Sequence, residues 1–373
     1  MDFGFDEAQE AVREAAAAVF AGVVTPERVG LIEVGEDRVD LDLWRALADA
    51  GLLGLAVPTE EGGAGLGLTE VCLVLEAQGQ CVAPVPLWAT LVLGALPLAR
   101  YGSAEQRARW LPGVAAGEVF LSAALSHVAV DPTAVRGVTA TREANAWVLR
   151  GRVAAVPQAH LAKRVVVPAA VPGGLVLVLV DPSAPGARLE RSITTNREVH
   201  PHLHLDGVTV GDEDVLAGPA EGHAALAGVL DAAWTGLCAL QVGVCEAALA
   251  QTAAHLNERE QFGRPLATFQ GAALKAADAA IDLEAMRVTL WQAAWRLDAG
   301  RDAGPAVAVA KWQAAERGQR IVHSTQHLHG GLGADITYPI HRHFLWGKQI
   351  ELVLGGPSAQ LARLGQTLAG AAR

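Results

Sequence analysis

The chain has 373 residues, of which 51% are hydrophobic, and its formal net charge is −11 at neutral pH. This length and apolar content suffice for a large core and for more than one domain. The negative charge and the absence of a basic stripe argue against a nucleic-acid partner, and no apolar run reaches the roughly 18–20 residues of a membrane span.

The N-terminus and the cysteines indicate a protein of a reducing compartment. The first segment, "MDFGFDEAQEAVREA", is acidic and lacks the basic and apolar regions of a signal peptide. Four cysteines lie in apolar surroundings without a CxxC motif, which is typical of buried thiols. No His/Cys set has metal-ligand spacing. We therefore expect a cytoplasmic protein without a metal site.

Residues 1–117 have the three-to-four spacing of amphipathic helices. The pattern predicts one helix in "FDEAQEAVREAAAAVFAG" and another in "LDLWRALADAGLLGLAV". A Gly-rich loop follows at 58–67. A further helix is expected after Thr69, which is a plausible N-cap, with Glu70 in the first turn.

The character changes near residue 118 and again near residue 220. Short β-branched segments bounded by Gly, Pro and Asp predict strands at 147–151, 164–171, 175–181 and 200–210. Helical periodicity then returns at 222–257, 268–299, 304–328, 338–352 and 357–370. The chain is therefore predicted to comprise a helical domain at 1–117, a β domain at 118–220 and a helical domain at 221–373.

One polar cluster interrupts the Ala-rich C-terminal region. The stretch "NEREQFGRPLATFQ" (257–270) places Arg259 and Gln261 at a predicted helix end, before Gly263 and Pro265. From these residues alone, a capped helix end with solvated charges explains the cluster.

A second stretch gives the cluster another meaning. "QHLHGGLGADITYPIHRHF" (326–344) ends a long helix in Gly330-Gly331-x-Gly333, a turn that a ligand can approach closely. The two stretches, with a β segment before them, resemble the "ER-x-x-FG" and "HGG-x-G…YP…R" motifs of the acyl-CoA dehydrogenase family. The resemblance covers nearly the whole chain. It implies an α+β fold with an N-terminal helical domain, a middle β-barrel-like domain and a C-terminal four-helix bundle.

The resemblance also implies contacts to the FAD of a neighbouring subunit. Arg259 would meet the pyrophosphate, Phe262 would pack near the cofactor, and Gln270 would bind its far end. Gly330 and Gly331 would admit the adenosine half to the backbone. One departure is that His327 stands where the family has Gln. The candidate cofactor-binding residues are Arg259, Gln261, Phe262, Gln270, His327, Gly330 and Gly331.

The carboxylate base of the family is missing. Its two known positions correspond to Leu354 and to Ala233, which Trp234 follows. The nearest acids are Asp231, which points about 200° away from Ala233 on a helix, and Glu351. Glu351 is the fallback base, although an ion pair with Lys348 would explain it equally well.

The flavin-stacking segments of the family are altered too. Ser126-His127, in the segment 124–132, replaces a Thr-Glu pair. In the strand that carries a W-[IV]-[TS]-N motif, Ala155 replaces Trp, Pro157 replaces Thr and Gln158 replaces Asn. Proline offers neither a hydroxyl nor a backbone N–H to a flavin.

These departures suggest the non-catalytic subunit of a heteromeric acyl-CoA dehydrogenase, and the tail "YPIHRHFLWGKQIELVLGG" resembles an actinobacterial branch that degrades steroid side chains. The resemblance implies an α2β2 assembly with two FAD. The partner's Glu would remove the alpha proton of the acyl-CoA, the beta hydride would pass to FAD, and an electron-transferring flavoprotein would accept the electrons. Two alternatives remain: a self-sufficient homotetramer with Glu351 as base, and a purely structural or regulatory subunit.

Overall fold

The computed structural model describes residues 4–129 and 137–371, which contain helices and a mixed sheet. The helices are α1 (Glu7–Val23), α2 (Pro26–Ile32), α3 (Leu41–Asp49), α4 (Leu68–Cys81), α5 (Leu96–Tyr101), α6 (Ala104–Ala115), α7 (Gly222–Glu258), α8 (Gln270–Asp298), α9 (Gly304–Leu328), α10 (Ile340–Leu352) and α11 (Pro357–Ala371). A buried π-helical segment, Trp88–Ala95, leads into α5.

Eight strands are hydrogen-bonded into one sheet. They are β1 (Leu121–Ala123), β2 (Val138–Glu143), β3 (Ala146–Val153), β4 (Arg164–Val171), β5 (Gly174–Val180), β6 (Ala187–Glu190), β7 (His202–Gly211) and β8 (Val215–Ala217). The order is β6-β7-β3-β2-β4-β5-β8, and β1 pairs in parallel with β4. The strands β4 and β5 are buried almost throughout, as expected of central strands rich in Val and Leu.

The chain divides into two compact units. One comprises the described residues of 1–31, 72–83 and 234–373, and the other comprises residues 32–71 and 84–233. The first unit contains α1 and the C-terminal helices, and the second contains the sheet. The predicted domain boundaries at 117/118 and 220/221 stay predictions.

Local sequence signals fix several helix starts. Asp6 caps α1 and forms a capping box with Gln9, and Ser103 forms the same box with Gln106 at the start of α6. The prediction that Thr69 is an N-cap was wrong, because α4 begins at Leu68. Glu70 instead accepts a hydrogen bond from the Gly67 N–H at 2.8 Å and caps the helix from inside its first turn.

Two glycines allow α4 and α7 to cross closely within the first unit. A Cβ on Gly79 would lie 2.2 Å from the Leu240 carbonyl oxygen, and a Cβ on Gly243 would lie 1.9 Å from the Glu76 carbonyl oxygen. Any larger residue would push the helices apart. The helix α7 is long and apolar enough to cross a membrane, but 78% of its most apolar window is buried inside the protein, as in the core helix of a bundle.

The C-terminal helices begin and end within about two residues of their predicted bounds, and α9 packs against α8, α10 and α11. Besides the start of α4, two helix ends differ from the sequence prediction. In "LDLWRALADAGLLGLAV" the helix stops at Asp49, and turns follow. After α7, residues 259–265 form a hairpin, so that Gln261 lies in a strand rather than at a helix end.

Candidate functional site

The polar cluster after α7 is a two-stranded hairpin. Glu260–Gln261 (β9) pairs with Arg264–Pro265 (β10), and the two loop residues, Phe262 and Gly263, have φ angles of 54° and 78°. Two positive φ angles are the signature of a type I′ turn, in which Gly is favoured at the second position. A non-glycine residue with positive φ is strained. The geometry of the turn, and not the packing of the side chain, therefore sets the backbone conformation of Phe262.

The side chains of this hairpin point to solvent. Phe262 is 92% exposed, and its nearest aromatic neighbour is Phe269, at 6.1 Å between ring centroids. Arg259, Gln261 and Gln270 are exposed as well. Within residues 4–129 and 137–371, none of these three side chains has a hydrogen bond or ion pair. Arg264, by contrast, lies over the Phe269 ring at 4.1 Å.

The second turn follows α9. Gly330 has φ 60°, and a Cβ on Gly330 or on Gly331 would meet nothing within 4 Å. His327 is exposed, and the described part of the chain offers it no hydrogen-bond partner. The turn therefore presents open backbone and a free imidazole.

A stack of two histidines joins the turns. The rings of His255, on the last turns of α7, and His329 lie 4.5 Å apart and nearly parallel. Nδ1 of His329 donates to the Thr325 carbonyl at 2.9 Å. Burial, the neighbouring His329 and Arg259 lower the pKa of His255. This stack brings the last turns of α7, which lead into the hairpin, beside the turn after α9. We call the seven exposed candidate residues of the two turns the two-turn surface.

The two positions at which the sequence analysis predicts the family's base, Ala233 and Leu354, lie beside the buried ring of Trp234. Trp234 is fully buried, and its indole N–H donates to the Leu354 carbonyl at 2.7 Å. The Arg363 guanidinium lies over the same indole, 3.9 Å from its centroid. Leu354 itself has φ 56°. Ala233 is also fully buried. A buried alanine and a leucine with positive φ thus occupy the two predicted base positions.

Glu351 lies in α10 and forms an ion pair with Lys348, as the simpler interpretation of its spacing predicts. Beneath this helix, the buried ammonium of Lys311 donates to the carbonyls of Ile350 at 2.7 Å and Glu351 at 3.3 Å. Burial lowers the pKa of Lys311 to about 8. Lys311 therefore donates hydrogen bonds to carbonyl groups at the C-terminal end of α10. The sequence analysis did not predict this role.

The segment that corresponds to the flavin bed, residues 154–158, is bonded to its own chain. The Pro157 carbonyl accepts from Ser122 Oγ at 2.5 Å, and the Ala155 N–H donates to His202 Nδ1 at 3.0 Å. Gln158 is 6% exposed and donates to Glu198 Oε1 at 3.0 Å. These bonds consume the polar groups that would otherwise face a ligand.

The Ser126-His127 segment is bonded in the same way. Ser126 Oγ donates to the Ala154 carbonyl at 2.6 Å, and His127 Nε2 donates to the Pro168 carbonyl at 3.1 Å. Burial lowers the pKa of His127, so that its ring is neutral near pH 7. Residues 130–132 of this segment lie outside the described residues.

The two-turn surface and the 154–158 segment therefore differ in the groups that they can offer to a ligand. The two-turn surface offers a free guanidinium, two free amides, an aromatic ring and open glycine backbone, which fit a phosphate-bearing cofactor at an interface. The 154–158 segment offers no hydroxyl, no free amide and no stacking ring, which does not fit an isoalloxazine. The sequence missed the Trp234–Leu354 bond and the Arg363 stack, because both join residues more than a hundred positions apart.

Another exposed feature lies on α8. Leu274, Ile281, Val288 and Trp295 are exposed by 56%, 66%, 49% and 40%, although all are apolar. They recur every seven residues, and seven residues advance a helix by nearly two whole turns. The four side chains therefore form one apolar stripe along the helix, which indicates a protein partner.

Comparison with known sequences supplies relatives over the whole chain. A profile described as "Acyl-CoA dehydrogenase, N-terminal domain" matches residues 6–118, and one described as "Acyl-CoA dehydrogenase, C-terminal domain" matches residues 220–368. Among curated proteins, "Acyl-CoA dehydrogenase FadE27" of Mycobacterium tuberculosis is 35% identical over 384 residues and covers 99% of both chains.

Two solved structures are also similar to this chain over nearly its whole length. A variant of the "Tcur3481-Tcur3483 steroid ACAD" is 49% identical with a TM-score of 0.92, covering 98% of this chain and 99% of that one. The ChsE4-ChsE5 complex from Mycobacterium tuberculosis is 36% identical with a TM-score of 0.92, covering 99% of both chains.

Proposed function

Because the chain belongs to the acyl-CoA dehydrogenase family, we propose that it is the non-catalytic subunit of a heteromeric acyl-CoA dehydrogenase. A catalytic partner would supply the carboxylate base, the flavin bed and most of the acyl-CoA pocket. This chain would supply the two-turn surface to the FAD that its partner holds. The assembly would be an α2β2 tetramer with two FAD.

The observation that carries the proposal is the contrast between free and bonded side chains. Arg259, Gln261, Gln270 and His327 are exposed and lack partners within the described parts of the chain. In the 154–158 segment, by contrast, the Pro157 carbonyl, the Ala155 N–H and the Gln158 side-chain amide are bonded internally. A chain that bound a flavin ring at its own 154–158 segment would need free polar groups in that segment.

The roles of the surface residues follow from their chemistry. The Arg259 guanidinium would donate a charge-assisted hydrogen bond to the pyrophosphate of FAD. Gln261, Gln270 and His327 would hydrogen-bond its polar edges, and Phe262 would shield it from water. Gly330 and Gly331 would let the adenosine half lie against the backbone. When bound, FAD supplies the hydride acceptor for alpha,beta-desaturation.

The relatives support the partner and the substrate class. Two of the similar structures are complexes of paired gene products, and one is described as a steroid ACAD. The substrate we propose is therefore a CoA thioester of a steroid side chain. An electron-transferring flavoprotein would accept the electrons, and the complex would work in the cytoplasm.

The apolar stripe on α8 supports a protein partner. Four large apolar side chains that are 40–66% exposed are costly to leave in water. A subunit interface along α8 would remove that cost.

Flavin stoichiometry measured together with native mass tests the proposal. The chain would be expressed alone and with the dehydrogenase encoded beside it, and each product would be assayed for flavin absorbance and mass. We expect little or no flavin on the chain alone, and a tetramer with two FAD after co-expression. One FAD per chain in an active homotetramer would refute the proposal and favour Glu351 as base. A complex whose FAD content ignores Arg259→Ala would favour a purely structural subunit.

A further inference from the structure

A cavity of about 450 Å³ lies in the unit that contains α1 and the C-terminal helices. Four helices line it: α1, α4, α7 and α8. Two aromatic rings, Phe5 and Trp291, meet edge to face at 5.0 Å on its wall. The lining residues are Phe5, Arg13, Ala17, Leu73, Glu76, Ala77, Gln80, Glu246, Arg287 and Trp291. The volume falls within the range of small-molecule sites.

The two arginines that line this cavity are already engaged by carboxylates. Arg287 lies 3.0 Å from Glu246, 2.6 Å from Glu284 and 3.8 Å from Glu76. Arg13, the other cation of the lining, is paired with Glu10. Glu10 and Glu284 do not line the cavity, so its charged lining consists of two arginines and two glutamates, and neither arginine is paired with Glu76 alone.

Glu76 is the least compensated member. Its side chain is 14% exposed, its nearest cation is Arg287 at 3.8 Å, and no other described side chain or backbone group forms a hydrogen bond with its carboxylate. A buried carboxylate without hydrogen bonds is costly, and a donor placed in the cavity would remove that cost.

We propose that this cavity binds an aliphatic organic ammonium, with the ammonium group donating to Glu76 and Glu246 and the alkyl chain lying against Trp291 and Phe5. Carboxylates beside aromatic faces are the groups that recognise such cations. An anion would instead meet Arg13 and Arg287, whose guanidinium groups are already paired with carboxylates. The proposal does not depend on the heteromeric function.

The binding is linked to protons. Burial first, and then Glu246 and Glu284, raise the pKa of Glu76 to about 7, against lowering by Arg287 and Arg13. A bound ammonium stabilises the ionised carboxylate, so that binding near neutral pH releases a proton. Affinity should therefore rise as the pH passes upward through about 7. The charged groups that face Glu76 are Arg13 on α1, Glu246 on α7, and Glu284 and Arg287 on α8.

Titration calorimetry with putrescine tests the site, using the purified chain with any subunit that co-purifies. The expected result is saturable binding that strengthens from one pH unit below to one above the raised pKa. Glu76→Gln should weaken it by about tenfold or more and abolish its pH dependence. Glu284→Gln is the matched control, because Glu284 also pairs with Arg287 but is 63% exposed and does not line the cavity. That variant should change affinity by less than about threefold.

No saturable binding would overturn the proposal. An equal loss of affinity in Glu76→Gln and Glu284→Gln would also overturn it, because putrescine would then be attracted only by the overall negative charge of the chain. The source of the cation is resolved by a second titration with N-acetyl-lysine methylamide, which carries one ammonium. Tighter binding of putrescine, lost in Glu76→Gln, assigns the site to a free diamine. Equal binding of the lysine compound, lost in the same variant, assigns it to a lysine side chain of a protein partner.

Discussion

The two-turn surface and the 154–158 segment use similar residue types for opposite purposes. In the first, Gln261 and Gln270 extend from the protein with no partner in the described chain. In the second, Gln158 is buried and bonded to Glu198. An amide that is exposed and free is available to a ligand, whereas a buried and bonded amide maintains the fold. The state of the side chain therefore indicates its function better than its identity.

Backbone strain leads to the same distinction. Phe262, Ala155, Gln158 and Leu354 all have positive φ. At Gln158 and Leu354, hydrogen bonds from the same chain hold the local structure. At Phe262 the positive φ positions a ring that is 92% exposed, so the described residues leave most of it uncovered. Strain that presents a side chain to solvent is a reasonable sign of a binding role.

The largest effect is expected at Trp234, which follows the predicted base position Ala233 and bonds to the other one, Leu354. Trp234→Ala should lower the free energy of unfolding by about 3–5 kcal/mol, because it leaves a cavity and removes the bond to Leu354. Trp234→Phe keeps a ring beneath Arg363 and should cost about 1–2 kcal/mol. Scanning calorimetry at fixed protein concentration would measure both. If Trp234→Ala left the free energy of unfolding unchanged, the Trp234 ring would have no structural role.

The second largest effect is expected at the two-turn surface. Arg259→Ala should weaken FAD retention by the co-expressed complex about tenfold to a hundredfold, because it removes a charge-assisted bond to phosphate. Arg264→Ala is the control, since Arg264 is an arginine of the same hairpin that stacks on Phe269. Flavin release after dilution measures both variants. Equal retention in the two variants would mean that Arg259 is only a charge at a helix end.

The sequence predicted the fold more fully than the site, for physical reasons. Helix periodicity and β-branched runs depend on local order, so that α7 to α11 and β3 to β5 were confirmed closely. Family motifs pointed to the two turns, although the hairpin at 259–265 was taken for a helix end. The Trp234–Leu354 bond, the Gln158–Glu198 bond and the cavity beside Glu76 join distant parts of the chain, and no local pattern encodes them.

A pair of glutamine variants would separate the two regions. Gln158→Leu should lower the free energy of unfolding by about 1–2 kcal/mol, because Glu198 loses a donor, and should leave FAD retention unchanged. Gln261→Leu should leave stability within about 0.5 kcal/mol, as at an exposed position, and should weaken FAD retention. Calorimetry and flavin release on the same samples would show both outcomes. A loss of flavin in Gln158→Leu would mean that this chain has a flavin bed of its own.

The smallest effect is expected from restoring a carboxylate. Leu354→Glu places an acid at the family position, but Trp234 and Arg363 still occupy the space beside it, and Pro157 still lacks an N–H. A base needs a bound acyl-CoA and a flavin opposite it, so that turnover and FAD content of the complex should change by less than about twofold. Glu351→Gln should be equally silent, because Glu351 already serves Lys348. A third flavin per tetramer, or activity of the Leu354→Glu chain alone, would show that only the base was lost. The silent result would show instead that the surrounding residues Trp234, Arg363 and Pro157, and not the lack of a carboxylate alone, prevent catalysis by this chain.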